Sequence, residues 1–467
     1  MKNLNAIGNK FSFAEKFMMM VVLSLVLLFS TEPAAFVFIL SALCVLALMH
    51  RFVAVYNVYL CIIFSLFFWL YLAIVHSVDV YVSESYWPLV KAFLIVPLFF
   101  AVLKLFDFKL DFKIPGFLAF SIFVLLLLLS FLKGLLVSPF VSVAYLGNVY
   151  IPILLQFFLI ASVAKLSLQN KTRDYHSTKG FTSLVCIILI VSSAFLLFDL
   201  LGVLQLREVF LSVGEALGRG GSEGNTRTHL FGVLFQRFPG LFADPILAAY
   251  TLFLFFTYAF CFVANPYIKA FMLCFSFMLG LVTLSKAFFF LLVCFFSFYF
   301  VCKLKLRVKL KFSVALIVLF FSVALIVIRA LFTVVTDSSA VHVQGLVLPF
   351  ISPTSGVAFL IGNDLGSGGN MGGWTLQGAE SFVGLLMYNT GLIGVLLFFG
   401  AFFQIMYALL KSKKRSNYFL FCFFMSVISA SFLQENSFNL GFSVVRIALL
   451  LFMVLYLLNA SDKHAKI

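Results

Sequence analysis

Charge is what this chain has least of: 10% of its 467 residues are Asp, Glu, Lys or Arg, where soluble globular chains carry roughly a quarter. That scarcity excludes a water-soluble fold. The 64% hydrophobic content, 65 Phe and mean hydropathy of +1.16 indicate an all-α, polytopic membrane protein. Cysteine is present eight times, but without a C-x-x-C pair or a histidine at ligand spacing, so neither a disulfide framework nor a zinc site is suggested. All eight lie in or at the ends of apolar runs and read as packing residues. No cleavable signal peptide is evident, since the first apolar run, 17–30, lacks a small-residue cleavage pattern. There is no internal repeat, soluble domain or low-complexity linker.

What is there is a series of apolar runs. Fourteen spans are expected, at 17–30, 34–49, 53–75, 89–103, 116–132, 140–164, 180–204, 241–264, 268–284, 287–302, 312–332, 382–410, 418–433 and 440–458. With both termini cytoplasmic, the inner side holds 23 of the 32 Lys+Arg and 5 of the 17 Asp+Glu, which satisfies the positive-inside rule. The formal charge of +15 therefore reflects topology and membrane lipid, with no nucleic-acid partner expected. The run 268–302 is too long for one crossing at about 1.5 Å per residue. It is split at an outside turn, Ser285 and Lys286, which keeps KLKLRVKLK on the cytoplasmic side as an anchor against anionic lipid.

The basic residues left outside or within the membrane are informative. They are Lys91, Lys133, Arg207, Arg219, Arg227, Arg237, Lys286, Arg329 and Arg446, six of them Arg in a chain with only 10 Arg. Guanidinium grips phosphate through two parallel hydrogen bonds and does not lose its proton, so this placement points to a phosphorylated ligand on the outer face. Two outer connections are long, 205–240 and 333–381, and long loops carry function more often than scaffolding. The second ends in a stretch unlike its surroundings, GNDLGSGGNMGGWTLQGAESF, with seven glycines between Gly362 and Gly378. Such backbone cannot face lipid, so it sits in water or lines a cavity.

Several residues keep two readings. Arg219 and Arg227 either bind ligand or pair with Glu215 and Glu223, and Arg237 is either a ligand contact or an interfacial anchor. Arg329 and Arg446 lie in apolar sequence, where a charge faces a cavity or a partner. Glu380, at the first turn of the helix beginning near Ser381, is the first candidate acid, and it is equally placed to cap that helix. Asp364 is the runner-up, though in a GND turn an aspartate commonly serves the turn itself. Tyr86, Trp87, Trp374 and Tyr388 are either sugar-stacking rings or interfacial belt residues.

Three segments carry a family resemblance. RFPGLFADPILAAY (237–250) resembles the R-x-x-G-x-F-x-(D/N)-P-N segment of the bacterial O-antigen polymerase and ligase superfamily. TLSKAFFF is similar to its S-R motif, with Lys286 in place of Arg, and AESFVGLLMYNTGLIGVLLFF to its closing loop-to-helix motif. The resemblance covers 225–400. Glu380 and Ser381 stand where the ligases place His-Asn, which is closer to Wzy-type repeat-unit polymerases, and Ile246 replaces the usual Asn.

The resemblance implies a GT-C-like glycosyltransferase of the bacterial inner membrane, joining undecaprenyl-diphosphate-linked oligosaccharide repeat units at the periplasmic face in lipopolysaccharide synthesis. Glu380 would be the catalytic base. Arg219, Arg227, Arg237, Lys286, Arg329 and Arg446 would hold the diphosphate, and Asp364, Asp244 and Trp374 would supply further acid or sugar contacts. No cofactor is expected, and no metal, since Asp-x-Asp is absent. A chain-length-determining co-polymerase is the partner protein implied. The alternatives are an O-antigen ligase acting on lipid A core and a polysaccharide flippase or transporter.

Overall fold

The computed structural model describes residues 114–168, 181–201, 227–230, 233–236, 245–332, 338–369 and 381–432. Their elements, in chain order, are α1 (Phe117–Val137), α2 (Pro139–Tyr145), a π-helical turn (Leu146–Tyr150), α3 (Ile151–Leu168), α4 (Phe181–Leu200), β1 (Arg227–Leu230), β2 (Val233–Gln236), α5 (Pro245–Phe262), α6 (Pro266–Val282), α7 (Lys286–Lys303), α8 (Val308–Phe332), α9 (Ser338–Ile351), α10 (Gly356–Ile361), α11 (Phe382–Lys411) and α12 (Arg415–Ser431). The chain is a helical membrane protein. Among the described residues α1, α7 and α11 are long and apolar enough to cross a bilayer, and α3 to α6 contribute shorter apolar segments.

One exception to the all-α expectation is a two-stranded antiparallel hairpin, β1 with β2, in register Arg227↔Gln236 and Leu230↔Val233. It falls inside the first long connection, which the sequence presents only as a polar bend followed by apolar residues. A further difference lies in the second long connection: α9 and α10 occupy much of 338–361, where the sequence suggests a loop. By contrast, the division of 268–302 holds. The helix breaks at 283–285, where Leu284 has φ 48°, the Thr283 hydroxyl donates to the Gly280 carbonyl at 2.7 Å, and Lys286 opens α7.

The described residues belong to two compact units. The first contains α4, the hairpin, α5 and α6. Asn265 caps α6 by accepting from the Tyr267 and Ile268 N–H groups, with Pro266 at the first helical position where its missing N–H costs nothing. Met272, Ser276, Leu279 and Gly280 recur at helical spacing as the buried stripe of α6, packed on α5 and α4. A hydrogen bond of 2.9 Å between Thr182 and the Tyr258 hydroxyl ties α4 to α5.

The second unit, which holds the remaining helices, is built on α11, which packs against α1, α3, α8, α9, α10 and α12. All residues from Phe382 to Gly391 are buried. On α1 the buried positions Phe117, Phe120, Phe123, Leu127, Ser130 and Gly134 form one face, while Leu118, Leu125, Leu129, Leu132 and Leu136 are exposed on the other. So large an apolar surface is untenable in water and is what a lipid-facing helix presents. Phenylalanine rings join the layers: Phe120 stacks on Phe157 of α3 at 3.4 Å, and Phe123 meets Phe398 of α11 at 5.4 Å.

Two backbone irregularities shape the middle of this unit. Pro152 has no N–H for the carbonyl of Asn148, and the chain accommodates the lost α-helical bond with the π-turn, in which the Ile151 N–H reaches the Leu146 carbonyl. On α11 the helix is interrupted at Gly391, with φ 67° and ψ −176°. A Cβ there would strike the backbone of Leu360 and Ile361, so the glycine allows α10 to lie directly against the break.

Candidate functional site

The π-turn and the break on α11 frame the segment that the sequence marks as unfit for lipid. Gly362 ends α10 at φ 84° and ψ 175°, a backbone conformation that glycine alone adopts readily, and from there 362–369 runs as non-helical chain between α1, α2 and α11. The backbone groups of Asn363 and Leu365 are satisfied by these helices, as apolar surroundings require. The Asn363 N–H and side-chain amide both donate to the Tyr388 carbonyl, at 2.8 and 3.2 Å, close to the break at Gly391. On the other side the Leu365 N–H donates to the Ser130 carbonyl at 3.0 Å, the Ser130 hydroxyl to the Asn363 carbonyl at 2.8 Å, and the Ser142 hydroxyl to the Leu365 carbonyl. Ser130 and Ser142 look unremarkable within apolar runs. Their partners lie 233 and 223 residues away in sequence, so no local pattern reveals them.

Around this clasp lies a second polar layer. The Asn389 side-chain amide donates to the Tyr150 hydroxyl at 2.7 Å, both residues being wholly buried. The Tyr388 hydroxyl and Ser367 are 3.0 Å apart. By sequence Tyr388 is a candidate for stacking on a sugar, and its position argues against that: it is buried, and Gly368 lies against its ring, so the ring is a wall of the clasp. The rings that sequence reasoning misses are Tyr145 and Tyr150, carried inward on either side of the π-turn.

Asp364 stands out within this framework. The turn it belongs to is held by backbone bonds, by the Asn363 side chain, and by Ser367, whose hydroxyl donates to the Asp364 carbonyl at 3.3 Å. The Asp364 carboxylate is not needed for the turn, contrary to the role its sequence context suggests. Its Oδ2 is buried and has no hydrogen-bond partner among the described residues, and the same is true of Asn389 Oδ1. A buried acceptor without a donor is costly, on the order of 1–3 kcal/mol and more for a charged group. Two such oxygens on neighbouring elements call for a donor that the described residues do not supply.

The other expected site residues are placed as follows. Lys286 is exposed at the first position of α7, where the unpaired N–H groups of a helix start add to its positive charge and suit an anion. It is not the partner of the buried Asp364 oxygen. Arg227 opens strand β1 opposite Gln236, and the backbone of Arg329 lies in α8. Glu380, Arg219, Arg237, Asp244, Trp374 and Arg446 lie outside the described residues. No group of three or more His, Cys, Asp or Glu positioned for a metal occurs among the described residues. A cleft of about 440 Å³ between the start of α1 and α11, lined by Ile114, Gly116, Leu397 and Gln404, contains none of the expected site residues.

Comparison of the chain with protein-family models, with curated proteins and with solved structures finds no match in any of the three.

Proposed function

We propose that this protein is an O-antigen polymerase, a membrane glycosyltransferase that joins polyprenyl-diphosphate-linked repeat units. The observation that carries the reading is the glycine-rich segment after α10, held inside a helical membrane unit with a carboxylate oxygen of Asp364 buried and without a donor among the described residues. An acceptor in that condition suits a hydroxyl-rich ligand, and sugar hydroxyls are such donors. The arginine-rich outer connections supply the second requirement, charge for a lipid-borne diphosphate.

In the reaction the acceptor sugar hydroxyl attacks the anomeric carbon of the donor glycan. A carboxylate takes up the hydroxyl proton, and the bond to the lipid diphosphate breaks with its electron pair staying on the diphosphate. Glu380 remains the first candidate for the base, with Asp364 orienting the sugar or taking that role. The departing diphosphate carries its charge to preorganised cations drawn from Arg219, Arg227, Arg237, Lys286 and Arg329. Full neutralisation by side chains lets such a site work without a metal.

One observation favours a second reading. The interrupted helix α11 beside a non-helical segment is an arrangement that transporters also use to bind substrate. The glycolipids of a strain lacking the protein separate these cases. Loss of a polymerase leaves lipid A core capped with a single repeat unit. Loss of a ligase leaves polymer on the carrier lipid, and loss of a flippase traps repeat units on the cytoplasmic face; either result overturns the proposal.

A further inference from the structure

Within the second unit, α7 packs along α12 and brings two thiols together. Cys302, in the last turn of α7, and Cys422, in the middle of α12, have their sulfurs 3.7 Å apart although 120 residues separate them in sequence. Cys302 is 6% exposed and Cys422 is 0% exposed. Nothing along the chain pairs them, because neither belongs to a C-x-x-C or lies near the other in sequence.

Several features prepare this pair for chemistry and not only for packing. The sulfurs are in van der Waals contact at 3.7 Å, and a bond of about 2.05 Å asks the two side chains to approach by a further ~1.6 Å. The surrounding backbone is fixed: Lys311 Nζ donates to the Cys302 carbonyl at 2.7 Å and lies over the Tyr418 ring at 5.7 Å, linking the end of α7 and the start of α8 to α12. A short route from water exists where α7 ends at Lys303 and the chain continues through exposed Lys305, Leu306 and Arg307. An oxidant arriving from that side meets Cys302 first.

We propose that Cys302 and Cys422 are a reversible dithiol–disulfide site, oxidised by a peroxide. The Cys302 sulfur attacks one peroxide oxygen, the O–O bond breaks, and the product is a sulfenic acid with release of water. The Cys422 sulfur then attacks the sulfenyl sulfur and expels the hydroxyl as a second water, giving one S–S bond. In total two thiols are oxidised, losing two protons and two electrons, and one hydrogen peroxide is reduced to two waters. The basic segment 303–311 places this end on the cytoplasmic side by charge pattern. There thiols are kept reduced, so the dithiol is the resting form and the disulfide a response to oxidative stress. The bond ties the end of α7 to the middle of α12 and prevents the two helices from sliding past each other.

The test uses the purified full-length protein in detergent or nanodiscs. After treatment with hydrogen peroxide, remaining thiols are alkylated under denaturing conditions and the digest is examined by mass spectrometry without reduction. The expected result is a cross-linked peptide pair joining Cys302 to Cys422, two alkylatable thiols fewer than the eight of the reduced chain, and full recovery of both with dithiothreitol. Cys302→Ser is expected to abolish the cross-link and the paired loss. Recovery of Cys302 and Cys422 as alkylated thiols, or their oxidation only to unpaired sulfinic acids, overturns the proposal, as does cross-linking of either one to a different cysteine.

Discussion

Gly362→Ala tests the clasp most sharply, because two separate penalties fall on one added methyl group. Gly362 has φ 84° and ψ 175°, a region essentially restricted to glycine, which other residues enter at a cost of about 1–3 kcal/mol. Its Cβ would be driven onto the main chain of Asn389 and Thr390, which cannot rotate aside as a side chain would. Overpacking of this kind adds about 1–3 kcal/mol, so a loss of about 2–6 kcal/mol is expected. Gly400→Ala is the matched control. Gly400 lies within α11, and a methyl group added there would meet nothing within 4 Å, so alanine gains about 0.5–1 kcal/mol from helix propensity. The assay is the temperature at which half of the solubilised protein remains monodisperse by fluorescence-detected size exclusion. Gly362→Ala is expected to lower it by about 2–6 °C while Gly400→Ala leaves it equal or higher. If Gly362→Ala melts together with wild type, 362–369 does not sit between α1 and α11 and the clasp does not exist.

The remaining expectations concern the polar layer and the site. Tyr150→Phe removes the acceptor for the buried Asn389 amide and is expected to cost about 1–3 kcal/mol, with the Tyr150→Phe/Asn389→Leu double variant recovering part of that loss in a thermal-stability cycle. Asp364→Asn is expected to reduce polymer formation at least tenfold with the protein level unchanged, since the carboxylate does not hold the turn; a large fall in protein level with retained specific activity would assign it a folding role instead. Glu380→Gln is expected to abolish the polysaccharide ladder, and wild-type banding from that variant removes Glu380 from the mechanism. Arg227→Lys and Arg237→Lys are expected to impair activity because an ammonium replaces the two-pronged guanidinium grip; unchanged activity would mean that charge alone suffices.

Hydrophobic runs long enough to cross a bilayer are legible because the constraint is one-dimensional, and the ends of α1, α7 and α11 fall within a few residues of the runs that predict them. The break before Lys286 is legible for the same reason, through length and charge sidedness. The composition of 362–369 shows that lipid cannot surround it, but not what does. That depends on Ser130, Ser142 and Tyr388, each ordinary in its own run and informative only once the helices pack. α9 and α10 are hidden because they are short, 14 and 6 residues, and lie in a polar connection where no span is required. The π-turn has a visible cause in Pro152, yet its effect, turning Tyr150 toward Asn389, is tertiary.

A polymerase must itself form glycosidic bonds between lipid-linked repeat units, with no other enzyme present. To measure this, the purified protein, in detergent or nanodiscs, is incubated with undecaprenyl-diphosphate-linked repeat unit as the sole substrate and chelator present, and the products are resolved by size. A ladder of glycans rising in single-repeat steps on the lipid, absent with Glu380→Gln, is the expected result. Unchanged single-repeat substrate, from wild-type protein that is folded and binds the lipid, would show that this chain is not the polymerase.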